Sequence, residues 1–422
     1  MQADAAWDWE PGARTVLDDA TACAVPHEWV EEPEASPDGE RLAAAVNLGD
    51  GRFTLCVNGQ PWETDFEKAW YPRYSPDGRL TALTMDDMVW TVSVDGEPWE
   101  ETFDFAWGTT FSEDGGVIAA CVQSEGRYGM IVDGTPWENL FENANNFVLA
   151  PDGSATAAAV QVKSMAQADI DTFQGGIFSV AVGGEAWESI FVNCFDPAFE
   201  AGTGRVACTV RLSLYDYTVA VDGKAWAKTY SCAWGPLFRP KSGEAVAPVL
   251  FKGKWGMAGE NGFVWNPIFS QCLHPAFSAD GSTLAAIVAT SFGKFTVAVN
   301  GAPWSATFPV VTDLRVSPDG RTVTAQASED NTNFRVLVNG QVWPGTFDMV
   351  YGPVICPATG SVAARVEKGG RIAYVLDGKP FGETFERAFD PIFSPDGGKV
   401  LLRGISGGKY QRIVAPTTAF KG

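Results

Sequence analysis

The feature that most constrains this 422-residue chain is a short phrase repeated nine times. An Asn-Gly or Asp-Gly pair is followed three residues after its glycine by a tryptophan, and four residues later by another aromatic. The pairs are Trp62/Phe66, Trp99/Phe103, Trp137/Phe141, Trp187/Phe191, Trp226/Tyr230, Trp265/Phe269, Trp304/Phe308, Trp343/Phe347 and, with phenylalanine replacing tryptophan, Phe381/Phe385; unit four has Gly-Gly in place of the Asx-Gly pair. Successive anchors lie 37, 38, 50, 39, 39, 39, 39 and 38 residues apart. A fixed period of this length marks an array of like units, each too small to bury its apolar face alone.

A second turn signature recurs once per unit, as SPDG or a variant, at 36–39, 75–78, 112–115, 150–153, 278–281, 317–320 and 394–397. Degenerate forms near Gly204, Gly243 and Gly360 bring the number to ten. Asx-Gly tolerates the positive φ values of a tight type I′ turn. Between the turns run segments such as RLAAAVNL, FTLCVNG, YGMIVDG and KVLLRGIS. They are β-branched, alanine-rich and too short for helices. Each unit therefore contains four strands: one ending at SPDG, one leaving it, one ending at Asx-Gly and one carrying the Trp. Four antiparallel strands in about 40 residues make a propeller blade.

The fold expected is all-β: a propeller of about ten four-stranded blades occupying 1–422 as one array. Two five-bladed rings are the alternative, but no linker interrupts the chain near its midpoint. The repeated aromatics are expected to fill the space between blades. The tenth SPDG turn is followed by two strands and no Trp phrase, so the last strand must come from the N-terminus. AAWDWE at Ala5–Glu10 is the candidate, because mixing the chain ends removes exposed sheet edges. Unit four is longer than its siblings, and the excess falls at Lys163–Gly176 (163–176), read as an inserted loop in blade four.

Composition narrows function mostly by exclusion. Thirty Lys and Arg against 52 Asp and Glu give a net charge of −22. Such a surface repels phosphate backbones and anionic headgroups, so nucleic acid and direct membrane insertion are not expected. No apolar run approaches the ~20 residues of a membrane helix, and MQADAAWDWEPG does not resemble a secretory leader. Eight scattered Cys never form CxxC, and with no leader they are expected to be free thiols in a reducing cytoplasm.

Catalytic and metal-binding patterns are equally thin. The two histidines, His27 and His274, have no second His at ligand spacing. Cys272 and His274 would need ligands from other blades. GISGG at 404–408 matches a nucleophile-elbow pattern by letter, yet it joins two strands and no His follows Ser406. The SPDG acids Asp38, Asp77, Asp114, Asp152, Asp280, Asp319 and Asp396 are expected to bond their own turns. No catalytic, cofactor-binding or metal-binding residue is assigned, and neither a cofactor nor an enzymatic activity is expected.

The SPDG-strand-strand pattern resembles the WD40-like repeats of TolB-type propellers. The VDGxPWExxF phrase, 16 Trp residues and acidic character resemble the tryptophan-rich cytoplasmic subunit of the Tmc transmembrane electron-transfer complex of sulfate-reducing bacteria. That resemblance implies a non-catalytic scaffold, peripheral to the inner membrane through protein partners. The partners it implies are a membrane cytochrome b-type subunit, an iron–sulfur subunit and, indirectly, a periplasmic multihaem cytochrome c. A quinoprotein-like enzyme and a glycan-binding propeller are the other readings.

Overall fold

A computed structural model describes residues 4–166 and 169–421. It is nearly all β, with ten four-stranded antiparallel blades arranged as a propeller. Blade one is representative: Trp29–Ala35, Leu42–Gly49, Arg52–Val57 and Gln60–Pro61. Blade five packs on blade six, where Thr209 Oγ1 donates to the Trp234 carbonyl at 2.7 Å. Blade ten returns to blade one, where Arg403 donates to the Ser36 carbonyl at 2.6 Å. The array therefore closes as one ring of ten, not two of five.

Both sequence signatures do what their chemistry dictates, and both lie at the same end of every blade. In the SPDG turns the glycine N–H donates to the serine carbonyl, as from Gly39 to Ser36 at 2.9 Å. The serine hydroxyl donates to the aspartate, as from Ser112 to Asp114 at 2.6 Å, and the aspartate accepts the N–H two residues on. In the Asx-Gly turns other than Asn261-Gly262, both residues have positive φ, for example 48° at Asn300 and 84° at Gly301. The Asx side chain then accepts from the first N–H of the second strand, as Asn300 does from Leu284 at 2.9 Å. One residue type thus turns the chain and stitches two strands together.

The fourth strand of most blades is a two-residue pairing, after which the chain continues through the Trp. The Trp62 N–H donates to the Leu55 carbonyl at 2.8 Å. Four residues on, Phe66 exchanges both backbone bonds with Phe53, the opening residue region of the third strand. Trp90/Phe103, Tyr128/Phe141, Phe178/Phe191, Tyr217/Tyr230, Phe295/Phe308 and Phe334/Phe347 repeat this bridge. Phe66, Phe103, Phe308 and Phe385 are buried between sheets. Trp137, Trp226 and Trp265 are buried as well, whereas Trp62, Trp99, Trp187, Trp304 and Trp343 are half-buried.

Three expectations require correction. The ring is closed by the termini, but the strand that closes it is Gly12–Leu17, paired with Lys409–Pro416, rather than Ala5–Glu10. Asp4 takes the earlier segment into a turn by accepting from the Ala6 and Trp7 N–H groups, and Pro11 cannot donate to a ladder. Trp7 and Trp9 stack at 6.1 Å and cover Ile392, Leu401 and Val414 instead.

The cysteines are not all free: Cys23 and Cys56 form a disulfide, with Cα atoms 6.1 Å apart. Residues after the closing strand fold back along blade one, where the Ala24 N–H donates to the Gly59 carbonyl at 2.8 Å. That return path, invisible in a spacing of 33 residues, brings the two sulfurs together. Cys121, Cys194, Cys208, Cys272 and Cys356 are free and buried.

The segment 163–176, of which Gln167 and Ala168 lie outside the described residues, is not wholly loop: Ile170–Gln174 forms a helical turn. Asp169 caps it, its side chain accepting from the Thr172 N–H at 3.0 Å.

Candidate functional site

The two ends of the ring differ in chemistry. One end carries the SPDG and Asx-Gly turns, a polar surface of Asp, Asn, Gly and Ser. The other carries the hairpins between second and third strands and the connections between blades. Large exposed apolar side chains gather at this hairpin end: Met88, Phe292, Leu214 and Tyr215 at hairpin tips, Ile190 and Ile268 before the bridging aromatics, Trp29, Phe105 and Met349 opening first strands. At the signature end, among the described residues, Val342 is the one counterpart.

The densest group lies across blades four and five. Met165 and Ile170 project from the insertion, Ile190 from the end of blade four, and Leu212, Leu214 and Tyr215 from the blade-five hairpin. Ile190 lies against Gly176, where the insertion ends. On its other side, the Val192 N–H donates to the Arg211 carbonyl at 2.9 Å, next to Leu212. Ile190 thus stands between the insertion and the blade-five hairpin, which carry the other five side chains. Phe173 anchors the insertion by packing on the cluster containing Phe178, Phe191 and Cys194. Beside it an open groove of about 430 Å³ is lined by Arg127, Asn139, Glu142, Gln161, Ser164 and Glu185. Apolar side chains left in water at adjacent positions are the usual mark of a surface that another macromolecule covers.

A second constellation lies on the first strands, which approach one another in successive blades and so line the axis of the ring. Each is interrupted at the same height. In seven blades the interruption is a bulge containing a residue with positive φ: Glu32, Tyr71, Gly108, Asn146, Asp196, His274 and Asp313. In blades six, nine and ten the first strand splits into two short pieces there. Neighbouring positions touch: the Tyr71 N–H donates to Glu32 at 3.0 Å, and Asn146 Nδ2 to Asp196 at 2.9 Å. A Cβ added to Gly235 would stand 2.8 Å from that of Asp196. This ring was missed in the sequence, although a proline follows the position at 33, 72, 197, 236, 275, 353 and 391.

The residues weighed for chemistry are dispersed. His274 is an exposed bulge residue, while Cys272 is fully buried, its thiol pushed up to about 12 by burial. The two do not form a ligand pair. His27 is exposed, one ring nitrogen 3.0 Å from the Val25 carbonyl. Ser406 ends a strand at a Gly407-Gly408 hairpin. Asp114, Asp152, Asp280, Asp319 and Asp396 are held below the ordinary carboxylate range, chiefly by hydrogen bonds from neighbouring serines. Among the described residues, no three His, Cys, Asp or Glu side chains converge as metal ligands, and no helix is long and apolar enough to cross a membrane.

No family model matches the chain, and no curated protein matches it. Solved structures similar to it include a crystal structure of the eukaryotic initiation factor, at 12% identity, TM-score 0.45, over 86% of this chain and 90% of that one. The Dos1 propeller aligns at 11% identity, TM-score 0.36, over 96% of this chain and 95% of its own. The Cps50 (Swd1) β-propeller domain of Myceliophteria thermophila aligns at 11% identity, TM-score 0.30, over 65% of this chain and 99% of its own.

Proposed function

We propose that this propeller is a non-catalytic interaction scaffold that docks by its hairpin end onto the cytoplasmic side of a membrane electron-transfer complex. The observation that carries the reading is the patch of Met165, Ile170, Ile190, Leu212, Leu214 and Tyr215 on blades four and five. A closed ring of ten sheets is a rigid base, and loops on a rigid base are where binding surfaces are usually built. Six exposed apolar side chains at one end of two adjacent blades provide the apolar centre such an interface needs, and the groove by the insertion provides a polar rim. The net charge of −22 disfavours direct contact with anionic lipid, so the bilayer is reached through protein.

The complex itself, with its cytochrome b-type and iron–sulfur subunits, is inferred from the sequence phrase built around Trp99 and its counterparts. Purification of the tagged chain from detergent-solubilised membranes tests it. Iron–sulfur and cytochrome b subunits should accompany the chain in constant ratio. Recovery of the chain alone from the soluble fraction overturns the reading in favour of a free-standing binding propeller.

A further inference from the structure

In a chain with 22 more acids than bases, four arginines surround the Glu34 carboxyl where the ring closes: Arg73 and Arg387 on the first strands of blades two and ten, and Arg365 and Arg403 on the second strands of blades nine and ten. Hydrogen bonds knit the cluster together. Arg365 Nε donates to the Asp390 carboxylate at 2.8 Å, and Arg403 donates to the Asp390 and Ser36 carbonyls at 2.8 and 2.6 Å. The Tyr71 N–H donates to Glu32, and Arg73 Nη1 donates to the Tyr71 hydroxyl at 2.8 Å.

This positive charge is only partly neutralised. Of the four, Arg365 alone has a carboxylate within 4.0 Å among the described residues. Arg387 is exposed and has no hydrogen-bond partner there, and Arg73 has only the tyrosine. The Arg403 Nε is buried with no acceptor. Glu34, on the blade-one strand between them, accepts no hydrogen bond; burial raises its carboxyl, against the pull of Arg387, Arg73, Arg403 and Arg365. Tyr71 is exposed beside them, with a hydroxyl proton to give.

We propose that the arginine cluster formed by blades nine, ten, one and two is a binding site for an oxyanion, the carboxylate or phosphate of a small ligand. Arg387 supplies an unpaired guanidinium, Arg73 the donors left over from its bond to Tyr71, and Tyr71 a hydroxyl proton, so the mouth of an acidic molecule becomes locally attractive to anions. Guanidinium forks pair with both oxyanions in bidentate fashion, which a lysine cannot reproduce.

Titration calorimetry of the whole chain with inorganic phosphate and with citrate tests this. At least one probe should bind with one-to-one stoichiometry and weaken as salt rises; which one binds more tightly identifies the oxyanion. Arg73→Ala and Arg387→Ala should each weaken binding roughly tenfold or more, as loss of a charged hydrogen-bond donor does. Arg387→Lys should recover only part of the loss, and Glu34→Gln should tighten binding. Arg321→Ala, exposed in the blade-eight SPDG turn, should leave it unchanged. If one arginine variant does not melt like the parent, the other carries the test. Absence of binding by both probes, or binding indifferent to Arg73→Ala and Arg387→Ala, overturns the proposal.

Discussion

The indole of Trp304 lies over Gly340, the glycine of the next blade's Asn-Gly turn, so closely that a Cβ on Gly340 would stand 3.2 Å from two indole atoms. The same relation joins Trp62 to Gly96, Trp137 to Gly184 and Trp265 to Gly301. The repeating phrase is thus two halves of one contact: in most blades the Trp seals the turn of the blade that follows, the exception being Gly262, with nothing within 4 Å. The glycine is required twice over, by its positive φ of 78° at Gly340 and by the ring above it.

Gly340→Ala should destabilise the chain by about 2–4 kcal/mol, combining the left-handed backbone cost of roughly 1–2 kcal/mol with displacement of the indole. Gly51→Ala, at φ 75° with nothing within 4 Å, should show the backbone cost alone. Chemical denaturation of both separates the two contributions. Equal losses would remove the indole from the explanation.

Trp265→Ala removes a buried side chain and should cost about 3–5 kcal/mol. Trp99 and Trp304 are half-buried, so their truncation should cost less than that of Trp265. Phe308→Ala, at 7% exposure, should rank with Trp265. Denaturation midpoints provide the ranking.

Most of the fold was legible because the period, the two glycine turns and the strand lengths all report the same unit. Three things were not. Gly12–Leu17 lacks the aromatic anchor that marks other blades, whereas Trp7 and Trp9 have the period-2 spacing of a strand without forming one. Cys23 meets Cys56 only after the chain has rounded the closing seam, a contact with no local pattern. The patch on blades four and five draws on a helical turn and a hairpin in separate units, so Ile170 and Leu214 come to the same end of adjacent blades through blade packing alone. The longer insertion pointed to its place; its composition did not reveal its contacts.

Tyr374 is buried, its hydroxyl within 2.6 Å of the Arg403 carbonyl and 2.7 Å of that of Phe389, and burial raises it to about 12. An unfolded tyrosine ionises near 10. Its contribution is therefore intact below pH 10 and is lost as pH rises from 10 towards 12, by about 1.4 kcal/mol per pH unit. Tyr374→Phe should flatten this alkaline limb in a pH series of denaturation curves. An unchanged slope would assign the limb to other groups.

Closing the loop between Cys23 and Cys56 should stabilise the folded chain by about 3–4 kcal/mol, judged from its length. If the chain docks on the cytoplasmic face as proposed, the pair is a dithiol in the cell and the disulfide of the structure closes on oxidation. Acid quenching of cells followed by alkylation and mass spectrometry should find both cysteines modified. A disulfide in intact cells would indicate an oxidising compartment and remove the cytoplasmic docking site.

On the proposed function, the hairpin end that carries Ile170 and Leu214 is what holds the chain to an electron-transfer complex. Ile170→Asp combined with Leu214→Asp places two charges at that end without entering a buried cluster, since both side chains are exposed. Purified from solubilised membranes, the parent chain and a Val342→Asp control at the opposite end should bring down the iron–sulfur and cytochrome b subunits in equal yield. The double variant, with an unchanged melting temperature, should lose them by at least tenfold. Retention of both subunits at the parent level by the double variant would exclude the hairpin end of blades four and five as the docking surface.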